Sequence, residues 1–256
     1  MNGFAAFLKK EFRELIRTKR LLILLIVFII FGIMNPAIAL LTPKILELEA
    51  ESLASMGMEI GEIHVTALDS WSQFVKNIPM VLIVFLIMFS GAYTTEYAKG
   101  TLIPLLTKGL SRGTVVLSKW FVMLLTWSAG LWLCFGITWF YSDYYWDNSV
   151  VQELVFGAFC WWLFGVLMIS SIVFFSSFAE SDIQVLLGTG AVYAVMLTAG
   201  IFEKAKEYLP TRLCNTLSLY TGELEPSDFK AAAVIAGAVS LLILLAALPL
   251  TKRRHI

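Results

Sequence analysis

The residues whose types and order suggest specific chemistry lie in one stretch, from Glu96 to Lys119. Two glycines, Gly100 and Gly109, interrupt this stretch, and the segment between them is short and apolar. Its other notable residues are Thr101, Leu102, Leu105, Leu106, Ser111 and Arg112. A short apolar helix outside the long apolar runs of a chain has little to pack against, which predicts docking into a groove on another protein. An ordinary connection between two helices is the alternative interpretation.

The sequence has no recognisable set of catalytic or metal-binding residues. Its two histidines, His64 and His255, are far apart, and no HExxH motif occurs. The cysteines Cys134, Cys160 and Cys214 are too few and too scattered to predict a disulfide framework or a metal site. No GxxxxGK[ST] phosphate-binding loop is present. We therefore expect neither an enzymatic activity nor a cofactor in this chain, and a partner must supply the energy for any uphill transport.

The composition is typical of a membrane protein. Of the 256 residues, 59% are hydrophobic and only 15% are charged, and the mean hydropathy is +0.80. Soluble domains have about 25% charged residues, so this chain has too little polar surface to coat a soluble globule. Basic and acidic residues are equal in number, at 19 each. This balance excludes a nucleic-acid-binding protein, which needs a basic excess.

Six apolar stretches approach the length of about 20 residues that a membrane-spanning helix needs. We predict spans at 21–41, 73–97, 120–141, 154–178, 183–202 and 231–250. Backbone polar groups in hydrocarbon must be satisfied within the segment, which favours helices for such long runs. The predicted fold is therefore an all-α membrane protein with six transmembrane helices, forming a single domain over residues 1–256.

The charge distribution predicts that both termini are cytoplasmic. Basic residues cluster in the N-terminal segment, in the loop at 98–119 and in the C-terminal tail, whereas the loops at 42–72 and 203–230 are rich in acidic residues. Basic loops stay in the cytoplasm, so 42–72 and 203–230 are predicted to be extracytoplasmic. The apolar cores of the spans, taken as 78–93 in the second, contain no Asp, Glu, Lys, Arg or His. This absence argues against a proton-driven carrier.

The segment 1–20 has the pattern of an amphipathic interfacial helix. At helical spacing one face is apolar and the other is basic. The apolar face includes Phe4, Phe7, Leu8 and Phe12, and the basic face includes Arg13, Arg17 and Arg20. Such a helix suits the headgroup layer, where it binds membrane lipid. A simple topology anchor is the alternative to a helix that receives a partner.

The stretch from Glu96 to Lys119 resembles a signature of ABC-2 type permeases, the transmembrane subunits of bacterial ATP-binding-cassette exporters. The similar residues are Glu96, Gly100-Thr101-Leu102, Leu105-Leu106, Ser111-Arg112 and Lys119, which follow the order of the signature E-x-x-x-G-T-L…L-L…P-x-S-R…K. The layout is similar too, with six spans, an amphipathic helix before the first and the signature after the second. One departure is Gly109, which stands where the family often has proline.

This resemblance implies a chain that works as part of an assembly. The loop at 98–119 becomes a coupling loop, whose helix within 100–109 sits in a cleft of an ABC ATPase subunit. Two permease chains, identical or related, and two ATPase subunits form the exporter, and the ATPases bind the ATP and magnesium. The location implied is the bacterial plasma membrane.

The resemblance also implies roles for single charged residues. Glu96 lies at the cytoplasmic end of the second span, and we expect it to pair with Arg17 or Arg20 of the N-terminal helix. Arg112 and Lys119 are expected to anchor the loop at the membrane surface.

Two other functions stay open at this point. One is a membrane receptor or accessory protein that docks a cytosolic protein without transporting anything. The other is an autonomous carrier that binds Na⁺ or lipid through carbonyl and hydroxyl groups. The loop at 98–119 discriminates between the classes, because an autonomous carrier has no need of a protruding apolar helix. Peptides, lipids and hydrophobic drugs all fit the apolar spans, and the acidic loop at 42–72 slightly favours cationic peptides.

Overall fold

The computed structural model describes residues 3–55 and 64–253, and the regular structure of these residues is helical throughout. The α-helices within this part of the chain are α1 (Gly3–Arg17), α2 (Arg20–Ser55), α3 (Ala67–Ala98), α4 (Ile103–Thr107), α5 (Arg112–Tyr145), α6 (Leu154–Ser176), α7 (Asp182–Ala199), α8 (Glu203–Lys206), α9 (Thr216–Tyr220) and α10 (Lys230–Arg253). Short 3-10 turns lie at Asn148–Val150, Pro210–Cys214 and Pro226–Phe229.

Six helical segments are long and apolar enough to cross a membrane. They are Arg20–Ile45, Ala67–Ala98, Arg112–Tyr145, Leu154–Ser176, Asp182–Ala199 and Pro226–Thr251. The prediction of an all-α membrane protein with six spans is confirmed. Some helices are longer than the predicted spans: α5 has 34 residues, which makes it about 51 Å long at 1.5 Å per residue, against a hydrocarbon core of about 30 Å. The helix α5 is therefore longer than the hydrocarbon core is thick.

The bundle has two distinct ends, called here the α1 side and the α9 side. On the α1 side, α1 packs against α5 and α2, and the guanidinium of Arg112 at the start of α5 donates a hydrogen bond of 3.0 Å to the Thr251 carbonyl near the end of α10. On the α9 side, the indole N–H of Trp161 in α6 donates to the Thr216 hydroxyl at 3.1 Å. The predicted loop at 203–230 thus contains short helices that pack onto the bundle.

The predicted loop at 42–72 is helical at both of its ends. The first span continues in α2 as far as Ser55, and α3 begins at Ala67. Residues 56–63 lie outside the described part of the chain, and several of the acidic residues on which the prediction of an acidic loop rests are among them or close to them.

Glycines let large aromatic side chains fit between the spans. A Cβ atom on Gly130 of α5 would lie 2.1 Å from the ring of Phe28 in α2. A Cβ atom on Gly165 of α6 would lie 2.2 Å from the indole nitrogen of Trp127 in α5. Between helices in lipid the hydrophobic driving force is missing, and association depends on van der Waals packing. Small residues at the contacts allow this close packing.

Candidate functional site

The loop between α3 and α5 has a backbone that requires its two glycines. Gly100 has φ = 64° and Gly109 has φ = 91°, a region that residues with a side chain rarely adopt. Proline is restricted to φ near −65° and cannot adopt the backbone of Gly109. This backbone is consistent with glycine at the position where the family often has proline. The Ser111 hydroxyl then accepts a hydrogen bond of 3.1 Å from the Thr114 amide and caps the N-terminus of α5.

The short helix α4 presents apolar side chains at the surface. Leu102, just before it, is buried, but no residue of α4 itself is buried. Ile103 is 44% exposed, and Leu105 and Leu106 are half-buried. The exposed Ile103 and the accessible parts of Leu105 and Leu106 together form an apolar surface that is suited to contact with another molecule.

A cleft of about 460 Å³ separates α4 from α1. Its lining combines apolar side chains with amines and hydroxyls, and comprises Gly3, Phe4, Ala6, Phe7, Lys10, Leu105, Lys108, Gly109, Leu110, Ser111 and Thr114. The cleft is therefore suited to an apolar side chain that is accompanied by an acidic group.

The predicted amphipathic segment forms α1, and one face of it is buried against the bundle. The buried residues are Phe7, Glu11 and Leu15, which are spaced four apart and so share one face. Of the predicted apolar residues, Phe4 is exposed and Leu8 and Phe12 are half-buried, while the basic Arg13 and Arg17 are exposed and Arg20 is half-buried at the start of α2. An acidic side chain thus lies in the middle of the packed face.

Glu11 belongs to a cluster of buried charges where α1, α3 and α5 meet. Lys119 Nζ lies 2.9 Å from Glu11 Oε2 and 2.9 Å from Glu96 Oε2. Lys119 is 2% exposed, Glu96 7% and Glu11 8%. Buried charges of this kind are costly unless they are paired, so each member depends on the others.

Lys10 completes the cluster from α1. Its ammonium contacts the carboxylates of Glu11 at 2.9 Å and of Glu14 at 2.8 Å, and it also pairs with Glu96. Oxygens of the three carboxylates lie within 4.8 Å of one another, a spacing that would suit a metal ion. In this structure the ammonium groups of Lys10 and Lys119 provide positive charge among them.

The pKa values of Lys10 and Glu14, the two half-buried members, follow from these contacts. Burial alone would lower the pKa of Lys10, but the hydrogen bonds to Glu14 and Glu96 and the charge of Glu11 outweigh it and raise this pKa. Partial burial would raise the pKa of Glu14, but the hydrogen bond and the charge of Lys10 lower it below the ordinary value of 4.5. Both side chains are therefore held in their charged forms.

Two predictions about single residues are wrong. Glu96 pairs with Lys10 and Lys119 rather than with Arg17 or Arg20. The reason is that α1 packs so that Lys10 lies next to the end of α3. Lys119 is not a surface anchor, since its amine is buried between two carboxylates.

Lys10, Glu11 and Glu14 also belong to the site, although the sequence pattern did not predict them as members of it. The signal available for Glu11 was its place between Phe7 and Leu15 on the apolar face of the amphipathic segment.

A second cavity lies between the spans α3, α6 and α7. It has a volume of about 480 Å³ and an almost entirely apolar lining, formed by Pro79, Leu82, Ile83, Leu86, Ile87, Trp161, Phe164, Met168, Leu186, Thr189, Gly190 and Tyr193. Beside it, α7 buries only Val185, Thr189 and Met196 against the rest of the chain. Much of α7 therefore faces away from the bundle.

These features define a multi-pass membrane protein with a helical loop, held by buried ion pairs, at one end of its bundle. The chain belongs to the ABC-2 family of transporter proteins, since the family model described as "ABC-2 family transporter protein" matches residues 5–251. The resemblance to ABC-2 type permeases is thereby confirmed, and the chain is an ABC-type permease. No curated protein and no solved structure matches the chain.

Proposed function

We propose that the chain is the permease subunit of an exporter in the bacterial plasma membrane, driven by a separate ATPase subunit. Two permease chains form the pathway, and two ATPase subunits bind and hydrolyse ATP with Mg²⁺. The α1 side faces the cytoplasm in this proposal, because the basic segments of the chain gather there. The single observation that carries the proposal is the apolar surface of α4 beside the cleft on that side.

The docking surface is attached to the bundle at both of its ends. The Ser111 cap joins the loop to the start of α5, and the ion pair of Glu96 with Lys119 holds the two ends of the loop together. Exposed Lys99 and Lys108 add positive charge around α4. An ATPase surface with an apolar groove and acidic groups at its rim would complement both properties.

The attachment of the docking surface to the bundle suggests how movement of the ATPase subunits reaches the spans. Closure of the two ATPase subunits on ATP moves α4, and the ion cluster transmits this movement to α1, α3 and α5 together. Rigid-body displacement of packed helices is an established way of switching between two arrangements, here open to the inside and open to the outside. Lys10 and Lys119 act in this scheme as the links between helices.

A second permease chain is supported by the spans. The described residues include six candidate spans, and α7 leaves most of its apolar surface unpaired next to the cavity between α3, α6 and α7. A second copy, or a related permease, that covers this face would complete a twelve-span pathway.

The proposal is tested by purifying the tagged chain from its native membrane in mild detergent and identifying the co-purifying proteins by mass spectrometry. A P-loop ATPase should be recovered with the unaltered chain and lost with Leu105→Asp/Leu106→Asp. Val150→Asp is the matched control, because Val150 is an exposed apolar residue outside the spans at the α9 side. Membrane levels of each variant are compared on immunoblots.

Other outcomes would favour the other two functions. If no ATPase is recovered in several mild detergents and the purified chain alone transports in liposomes, the chain is an autonomous carrier. A cytosolic protein that is not an ATPase, bound through Leu105 and Leu106, would indicate a receptor or accessory protein.

A further inference from the structure

A chain of buried hydrogen bonds links three spans at the depth of Asn35. The Asn77 side-chain amide of α3 donates to the Asn35 side-chain carbonyl of α2 at 2.8 Å. The Asn35 amide donates to the Thr138 hydroxyl of α5 at 2.9 Å, and that hydroxyl donates to the Gly32 carbonyl of α2 at 3.1 Å. Asn35 and Thr138 are fully buried.

The last of these bonds replaces a bond that α2 lacks. Pro36 lies inside α2 and has no amide hydrogen. In a regular α-helix the amide at position 36 would donate to the carbonyl of Gly32, four residues earlier. The Thr138 hydroxyl takes this role from the neighbouring helix, which is how a proline is tolerated within a span.

The buried side chains of α2 are larger before this break than after it. Before it, Leu24 and Phe28 are almost fully buried, and Phe28 fits against Gly130. After it, Ala39 is the only buried residue among positions 37–45, and Leu40 and Leu41 are exposed. The segment 37–45, called here the distal arm of α2, is therefore held to the bundle mainly near Asn35 and Ala39.

We propose that the distal arm of α2 is hinged at Pro36 and that Thr138 is the positioning residue that holds it in its present place. A single side-chain hydroxyl supplies the bond that an unbroken helix would supply from its own backbone. Opening that bond frees the arm to move relative to α5 without disturbing the half that Leu24 and Phe28 anchor in the bundle. This inference concerns motion within one chain and is independent of any ATPase partner.

The hinge is tested by hydrogen–deuterium exchange of the full chain in lipid nanodiscs, followed by mass spectrometry. Thr138→Val keeps the shape of the side chain but removes the hydroxyl, and the amides of residues 37–45 should exchange at least fivefold faster. The amides of residues 21–31 should be unchanged. Thr138→Ser keeps a hydroxyl and should exchange like the unaltered chain.

Thr189→Val is the matched control. Thr189 is also buried in a span, but its hydroxyl donates to the Val185 carbonyl of its own helix at 2.8 Å. Faster exchange of 37–45 in Thr189→Val would show a general loosening of the bundle and overturn the proposal. Unchanged exchange in Thr138→Val would overturn it as well.

Removing the proline separates a hinge from a merely structural contact. Pro36→Ala restores the amide that can donate to Gly32, so in Pro36→Ala/Thr138→Val the exchange of 37–45 should return to the level of the unaltered chain or below. This double variant also covers the case in which Thr138→Val alone fails to fold. If the double variant exchanges as fast as Thr138→Val, or is equally unfolded, the hinge does not lie at Pro36.

Discussion

Lys119 Nζ lies 2.9 Å from Glu96 Oε2, so the start of α5 and the end of α3 are joined by a buried ion pair. These two residues are also the limits of the stretch that resembles the family signature. The loop that carries α4 is thus closed at its base, and α1 contributes Glu11 and Lys10 to the same closure. The surface proposed for docking is attached to three helices at one point.

The first prediction concerns the buried amine. Lys119→Met leaves the carboxylates of Glu96 and Glu11 without their buried partner, and breaking a buried pair in this way costs about 3–5 kcal/mol. We expect a clear fall in the thermal unfolding midpoint of the purified chain in detergent. Lys99→Met, at an exposed position of the same loop, is the control and should change the midpoint little. Equal midpoints for the two variants would contradict the role given to Lys119.

The second prediction concerns pH. The folded-state pKa of Glu14 is lowered, so its stabilising contact with Lys10 is present above pH 4.5 and is lost as the pH falls through the lowered value. The pKa of Lys10 is raised, so its contribution is complete below pH 10.5 and is lost only when the pH rises through the raised value. The contact is therefore intact between about pH 5 and pH 10.

Thermal unfolding of the unaltered chain and of Glu14→Gln, followed from pH 7 down to below pH 4.5, measures the effect. The unaltered chain should unfold at the higher temperature near pH 7, and the difference should shrink as the pH falls below 4.5. The effect should be small, because Glu14 is partly exposed and solvent screens such pairs. A difference that grew at acid pH would show that the sign is wrong.

The third prediction compares two glycines of α5. Gly130→Ala places a methyl group against the ring of Phe28, which must shift, and overpacking of this kind costs about 1–3 kcal/mol. Gly136→Ala meets no atom within 4 Å and should be neutral or slightly stabilising, because alanine favours helix more than glycine does. Thermal unfolding midpoints of both variants check this contrast. A loss of stability in Gly136→Ala would mean that this face of α5 is covered in the assembled protein.

Much of the fold could be predicted from the sequence, because the length and apolarity of a segment are enough to identify a membrane span. The six predicted spans overlap the six apolar helices, and the resemblance in the stretch from Glu96 to Lys119 led to the family that the family model confirms. The helix ends were less predictable, as α5 shows. Its first turns carry Arg112 and Lys119, and charged residues hide a continuing helix from a search for apolar runs.

The partners of Glu96 could not be predicted, because they depend on how α1 is rotated and placed against the bundle. Several basic residues of the N-terminal segment were available, and pattern alone did not distinguish Lys10 from Arg17. The polar link between Asn35 and Thr138 was missed for another reason. Only ionisable residues within the spans were taken as a sign of function. The groups that meet here are uncharged, since Pro36 leaves the Gly32 carbonyl without its usual donor and the Thr138 hydroxyl donates to it.

The last prediction joins the backbone of the loop to the proposed docking of an ATPase. Gly109 has φ = 91°, and a Cβ atom on it would meet nothing within 4 Å, so Gly109→Ala acts through the backbone and not through a clash. The left-handed region costs an alanine about 1–2 kcal/mol, which the loop can relieve by moving α4 out of place. Recovery of the co-purifying ATPase should then fall by up to about thirtyfold.

Asparagine tolerates positive φ better than alanine, so Gly109→Asn should retain more of the ATPase than Gly109→Ala. Gly136→Ala, in an ordinary helical conformation, should retain all of it. Quantitative mass spectrometry of the detergent-purified chain, normalised to the amount of permease, measures the three ratios. If Gly109→Asn loses as much ATPase as Gly109→Ala, the effect comes from the added side chain, and the ATPase contacts the loop directly at this position.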